Sequence, residues 1–488
     1  MNDELTQVAD GGGVRSMTAR WVITGEMCLQ TAAHFGGAGD SAVDMAILRD
    51  PKDGVPLLPG TSLAGALRSH LADVLGGYLS PECPEVTALF GGVRSDDAGS
   101  QSPLIVFDSL GRLPRGAAAL DIRDGVAIDP ATGTAEAHKK FDFEILPAGT
   151  CFPLRLELIV GNTEQEEHLV GLLVAALNGL ADGEISIGMR RSRGLGVVKV
   201  DRWKVLRHHL AAGKGWLAWL LSDHEKPIGD DVPGYDSVKE AIQAACPSLE
   251  INELEDKRRR LLVDLELELV GDLLVRSPGT DAGAPDVVHL HSAGRPVLPG
   301  TGLAGALRAQ ALRIARLVRE SCDGELWVDQ LFGPRLEEND DSLQGENAIA
   351  SRLRISESFI ENGEARRQVR IAIDRFTGGV VPGALFDEQV HRGGKLQVRL
   401  ELRNPDDPEI GLLLFLLKDL ISGEIPVGGA SSVGRGILHG TAEVRLPEGK
   451  VYGVAEDLGV SEEARRIFDS KIRAFSEAKP LTAGEAQS

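Results

Sequence analysis

Four aspartates, Asp40, Asp44, Asp50 and Asp53, fall within fourteen residues near the N-terminus. Asp50-Pro51-Lys52-Asp53-Gly54 has the composition of a turn, where such side chains bond their own backbone. Asp40 follows Gly39 and suits the same local use. Asp44, in Val43-Asp44-Met45-Ala46-Ile47-Leu48, has no such structural task. A carboxylate like this, facing a phosphodiester, can hold Mg2+ or take the proton of a 2′-hydroxyl. Asp286, in Pro285-Asp286-Val287-Val288, offers the same group further along. On residue types alone Asp44 and Asp286 are candidate catalytic and metal-binding residues, with an ordinary loop carboxylate as the plainer alternative. His34, His138, His289 and His291 do not form equivalent pairs, and no HExxH spacing occurs, so they read as loop or core histidines.

Basic chemistry gathers elsewhere. Ile187-Gly188-Met189-Arg190-Arg191-Ser192-Arg193-Gly194-Leu195-Gly196 is a Gly-rich loop whose N–H groups could converge on a phosphate. Its cations Arg190, Arg191 and Arg193 would neutralise that phosphate. Six basic residues against one acid lie between Arg190 and Lys204 in a chain of net charge −21. A later loop, Val427–Gly436, keeps the glycines but carries Val433 in place of Arg193, with Arg435 nearby. Two Pro-Gly-Thr helix starts add N-terminal amides that suit anions: Thr61 and Ser62 with Arg68, and Thr301 with Arg308. Thr61 and Thr301 are the expected N-caps. Lys139-Lys140 suits a polyanion too. The plainer alternatives, a solvated turn and an ordinary helix cap, remain open on residue types alone.

These groups are positioned by a duplication. Leu58–Arg68 reads LPGTSLAGALR and Leu298–Arg308 reads LPGTGLAGALR, matching at ten of eleven positions. Leu89-Phe90-Gly91 returns as Leu331-Phe332-Gly333, Ile128–Gly133 as Ile373–Gly378, and Gly183–Gly188 as Gly423–Gly428. Such a spacing, much longer than a solenoid repeat, means two whole domains. Each copy runs strand, Gly/Asp loop, helix, short strand, protruding hairpin, strand, apolar helix, Gly-rich loop, strand. That order predicts an α+β, ferredoxin-like sandwich. The expected divisions are a disordered 1–16, domains at 17–206 and 259–448, a connector at 207–258, and a C-terminal helix (Ser461–Glu477) with a loose tail within 449–488.

Composition narrows the class. With 42% hydrophobic and 26% charged residues the chain is globular. Its longest apolar stretches, Leu169–Ala181 and Ile410–Leu417, are too short to span a bilayer. The N-terminus lacks a signal-peptide core, so a cytoplasmic location is expected. Aromatics at 4% argue against a face of stacked aromatic platforms. Five widely spaced cysteines, Cys28, Cys83, Cys151, Cys246 and Cys322, are expected as reduced thiols.

The ordered set of LPGTSLAGALR, IDPATGT, hairpin and IGMRRSRGLG resembles the RAMP-superfamily backbone subunits of type III CRISPR effector complexes. Here two copies are fused, with the resemblance covering about residues 18–205 and 259–445. It implies two modified ferredoxin-like (RRM-like) domains that bind a guide CRISPR RNA. Thumb hairpins, about Gly133–Phe143 and Gly378–Val390, would wedge between guide and complementary target RNA. It further implies backbone, small and large polymerase-like subunits as partners, and metal-dependent target cleavage at Asp44 and, less directly, Asp286. Ala64 and Ala304 replace a lysine common in the helix motif. Two other functions share this resemblance: a non-catalytic RNA scaffold and a guide-processing endoribonuclease.

Overall fold

Alternation builds both central strands. In β1 (Ala19–Leu29) every second side chain, including Trp21, Ile23, Met27 and Leu29, is buried on one face. Leu261, Val263, Leu265, Leu267 and Leu269 repeat the pattern in the second copy. The computed structural model describes residues 16–37, 43–92, 101–115, 120–129, 132–226, 228–279, 283–318, 324–335 and 350–479. The expected disordered N-terminus (residues 1–15 of it), Asp40 and Cys322 lie outside these.

The first domain contains β1, α1 (Gly60–Gly76), α2 (Pro84–Phe90), β2 (Leu104–Val106), β3 (Asp121–Ile128) and β4 (Ala135–Ile145). It continues through β5 (Cys151–Val160), α3 (Glu166–Ala181) and β6 (Val198–His209). Its sheet is antiparallel in the order β2-β5-β1-β6. After α4 (Gly213–Leu220) and α5 (Val238–Ala245) comes the second domain: β7 (Arg260–Val270), β8 (Val287–His289), α6 (Gly300–Val318), α7 (Gly324–Phe332) and β9 (Leu353–Ile355). β10 (Glu364–Ile373), β11 (Val380–Arg392), β12 (Lys395–Arg403), α8 (Asp407–Ile421), β13 (Ile437–Arg445), β14 (Val451–Val454) and α9 (Glu462–Glu477) complete it. Its sheet runs β9-β12-β7-β13-β14, also antiparallel. The apolar helices α3 and α8 pack with α1 and α6 over one face of each sheet, making two separate cores. The α+β sandwich is therefore present twice.

Several local expectations change. The helices begin at Gly60 and Gly300, one residue before the threonines, and Pro59 is the cap of α1 with no side-chain bond. Asp108 supplies the missing acceptor, taking the Gly60 N–H at 2.7 Å. Cys28 and Cys151 face each other across β1 and β5 and form a disulfide, so they are not the reduced thiols expected; Cys83 and Cys246 are free. The connector, read from the sequence as a small packed segment, lies against the first domain. β6 runs on into it, and Val238, Ala241 and Ile242 of α5 join the first core. At the far end, Ala464, Phe468 and Phe475 of α9 are buried in the second core.

The hairpins begin at Asp121 and Glu364, ahead of the thumb segments Gly133–Phe143 and Gly378–Val390, and they share one register. Val126 opposite Lys140 recurs as Ile371 opposite Leu385, and Ile128 opposite Ala135 as Ile373 opposite Val380.

The first domain grips the second. Arg123, on the first hairpin, makes a buried two-pronged ion pair with Glu357. Tyr78 donates to Glu401 at 2.7 Å. Arg193 reaches across to Phe332 O (2.8 Å), Ser351 Oγ (3.2 Å) and Leu353 O (3.4 Å).

Candidate functional site

Asp44 stands where the first loop runs alongside the root of the first hairpin. Met45 bridges Phe143 in parallel, and Glu144 N–H donates to Met45 O at 2.9 Å. Asp44 N–H donates to Asp142 Oδ1 at 2.7 Å, while Asp142 N–H donates to Asp44 Oδ2 at 3.0 Å. This reciprocal clip holds two carboxylates side by side, each oriented by the other's backbone. Asp44 is exposed and Asp142 half-buried. Asp124 lies directly opposite Asp142 in the hairpin register and pairs with Lys140 at 3.0 Å. Behind the loop, Glu144 accepts from Ile47 N–H (3.0 Å) and Arg49 (2.9 Å), which stiffens the segment after Asp44.

The second copy has the same frame. Val287 pairs in parallel with Glu388, as Met45 does with Phe143, so Asp286 occupies the place of Asp44. Asp387 then stands for Asp142. Chemically the sites diverge: Asp387 is ion-paired with Arg367, which holds its carboxyl below the usual range. Ile122 occupies the equivalent place in the first hairpin, and Val369 replaces Asp124. The first site is thus more acidic than the second.

Hard oxygen donors of this kind suit Mg2+, which binds through one or two carboxylates and keeps several waters. Asp44 and Asp142 form such a pair. Among the described residues one cluster of three metal-type ligands occurs, Glu26, Cys28 and Cys151, and its two sulfurs are bonded to each other.

The basic candidates divide. Arg191 is exposed, and Thr61 and Ser62 are exposed at the start of α1. Arg190, in the left-handed conformation, lies about 5 Å over Phe141 and Phe143, and burial lowers its pKa. Side-chain alternation puts that stack on the hairpin face opposite Asp142. Lys139 pairs with Glu136 at 2.9 Å, and Arg68 with Glu82 at 2.7 Å. Thr301 is half-buried on α6.

Three arginines do other work. Arg193 is caged by second-domain carbonyls, and burial, helped by Arg308 and Arg190, lowers its pKa to about 10. Arg308 is held by Gly333 O and Asp329. Arg435 is buried against Glu388 at 3.0 Å and Gln368 at 2.8 Å. Part of the Gly-rich loop's amides serve the fold as well: Met189 N–H donates to His34 O and Gly196 N–H to Ala32 O, which pins the first loop.

Asp142 was missed from sequence, although a signal existed. Phe141-Asp142 returns as Phe386-Asp387 at the spacing that relates Ile128 to Ile373.

Among the described residues, no helix is long and apolar enough to cross a membrane. A profile of the RAMP superfamily matches residues 29–199 and 266–439, one segment in each domain. The chain is 36% identical over 78 residues to the CRISPR system Cms endoribonuclease Csm3 of Enterococcus italicus, covering 14% of this chain and 36% of that protein. It is 34% identical over 92 residues to the Csm3 of Methanothermobacter thermautotrophicus, covering 17% of this chain and 37% of that protein. It therefore spans little more than a third of the length of these curated relatives. Two matched segments, each coinciding with one copy of the same sandwich, make this chain a member of the RAMP superfamily.

Proposed function

We propose that the chain is a backbone subunit of a type III CRISPR effector complex, and that its first domain cleaves guide-paired target RNA at Asp44. The carboxylate pair clipped at the hairpin root carries this reading. Similarity to two proteins named as Csm3 endoribonucleases supports the reaction class. A divalent cation such as Mg2+, held by Asp44 and Asp142, would supply charge stabilisation for the phosphodiester. Asp142 orients Asp44 through the backbone, and the Glu144–Arg49 pair keeps the loop against the hairpin. Arg191, Thr61, Ser62, Lys139 and Lys140 would meet phosphates, contacts that position the RNA while base pairing reads its sequence.

Purified complex carrying Asp44→Ala is expected to lose one discrete target cut and to retain target binding; an undiminished cut sinks the assignment. Asp142→Asn is expected to weaken the same cut.

The second domain favours a scaffold role, because Arg367 already neutralises Asp387 beside Asp286. Mapping the cuts of Asp286→Ala separates the readings: an unchanged pattern supports a scaffold, and a lost cut shows a second active site.

A further inference from the structure

The contact between the two domains is a heterologous interface, and the duplication repeats each of its halves once more, on the other domain. In the formed interface, Arg193 is the key. Its guanidinium sits among Phe332 O, Ser351 Oγ and Leu353 O, over the ring of Phe332. Gly194 follows with φ +84°, packed so closely on the edge strand that an added Cβ would lie 2.1 Å from Glu357 N. Arg123 on the hairpin completes the contact by pairing with Glu357.

The receiving half recurs in the first domain. Phe90, Ser102 and Leu104 correspond to Phe332, Ser351 and Leu353, and Asp108 corresponds to Glu357. The likeness extends to the hydrogen bonds. Ser102 Oγ donates to Leu89 O and Leu104 O, as Ser351 Oγ does to Leu331 O and Leu353 O. β2, like β9, is the edge strand of its sheet. Among the described residues no guanidinium is hydrogen-bonded to Phe90 O or Leu104 O, and Asp108 is exposed.

The inserting half recurs in the second domain, altered at its key. Val433 stands for Arg193 and is 59% exposed, while Gln368 stands for Arg123 and is held by Asp272 and Arg435. Gly434 keeps φ +81° but has nothing within 4 Å of an added Cβ. This end has the backbone of the plug and neither of its two cations.

We infer that the β2 edge of the first domain is a socket for the Gly-rich loop of another chain of the same fold, one carrying arginine at the position of Arg193. Val433 prevents the chain's own second domain from filling it, so copies of the chain do not string together. An edge strand needs such a cover, and an acidic Asp108 beside carbonyl acceptors selects a cationic plug. The inference rests on the reading of the chain as one subunit of a longer backbone and names what its neighbour must present.

The test uses the full chain without RNA. Sedimentation of the wild type is expected to show a single species at every concentration. Val433→Arg, an exposed substitution, is expected to shift sedimentation progressively to dimers and longer chains. Adding Gly434→Ala should return that variant to a single species, because the methyl group meets only an incoming edge strand. Concatenation of the wild type, a Val433→Arg variant that stays single, or association that survives Gly434→Ala would each overturn the inference. Since neither guide binding nor cleavage is read, a failure here leaves the Asp44 assignment standing, and the reverse also holds.

Discussion

At the scale of single residues, the two copies separate by two exchanges beside the acidic pair, Ile122 for Arg367 and Asp124 for Val369. Arg367 satisfies Asp387, whereas Ile122 brings no charge to Asp142, as the proposed sharing of a cation with Asp44 requires. An exposed ion pair of this kind is worth about 0–1 kcal/mol. Ile122→Arg is therefore expected to weaken the Asp44 cut by about two- to fivefold, with target binding retained; quantifying each cleavage product checks it. Asp44 stood out in the sequence as a loop carboxylate with no turn to serve, but its structural bond, from Asp142 N–H, was not legible there. Arg193 was not legible either. Its neighbours in sequence are basic and glycine-rich, the pattern of a phosphate cradle, and nothing local shows that Phe332 and Leu353 return from far along the chain to enclose it.

Among elements, the Gly-rich loops show how one conformation serves two ends. Gly194 and Gly434 both have positive φ, so alanine costs each about 1–2 kcal/mol of backbone strain. Only Gly194 also meets a neighbouring backbone. Gly194→Ala should lower the urea midpoint well beyond Gly434→Ala and loosen the domain contact, seen as faster amide exchange over 353–357. Equal effects would show that strain alone acts there. The strands and long helices were readable from alternation and apolar runs. The true helix start was not, because Asp108, distant in sequence, takes the Gly60 N–H and so caps the helix from outside its own turn. The disulfide escaped for the same reason: its cysteines are 123 residues apart and meet only through strand register.

For the whole molecule, each domain buries a histidine in the neutral form. Burial, then the nearby Arg258, lowers His70 to about 4. Burial, then His291 and His391, lowers His289 to about 3. Once unfolded, both titrate near 6.5 and bind protons that the folded state refuses. Stability from this source is complete above that value and drains away as pH falls toward the folded pKa values. Melting temperature should therefore fall between pH 6.5 and 4, and His70→Gln should flatten that decline; an unchanged slope would remove His70 from the account. The duplication was visible in eleven residues of one helix, but its use as a grip between domains required the three-dimensional placement of Arg123 and Glu357.

One further contrast bears on the history of the duplicated gene. Leu195 and Phe143 share an apolar cluster in the first domain, and the same two places hold Arg435 and Glu388, an ion pair, in the second. Each pair is consistent within itself and incompatible with the other, since a mixed pair would bury one charge against a hydrocarbon. Recombination that moved a hairpin between the copies without its Gly-rich loop would create that mismatch. The nearly identical helix motifs thus sit beside a hairpin–loop contact that the two copies cannot exchange piecemeal.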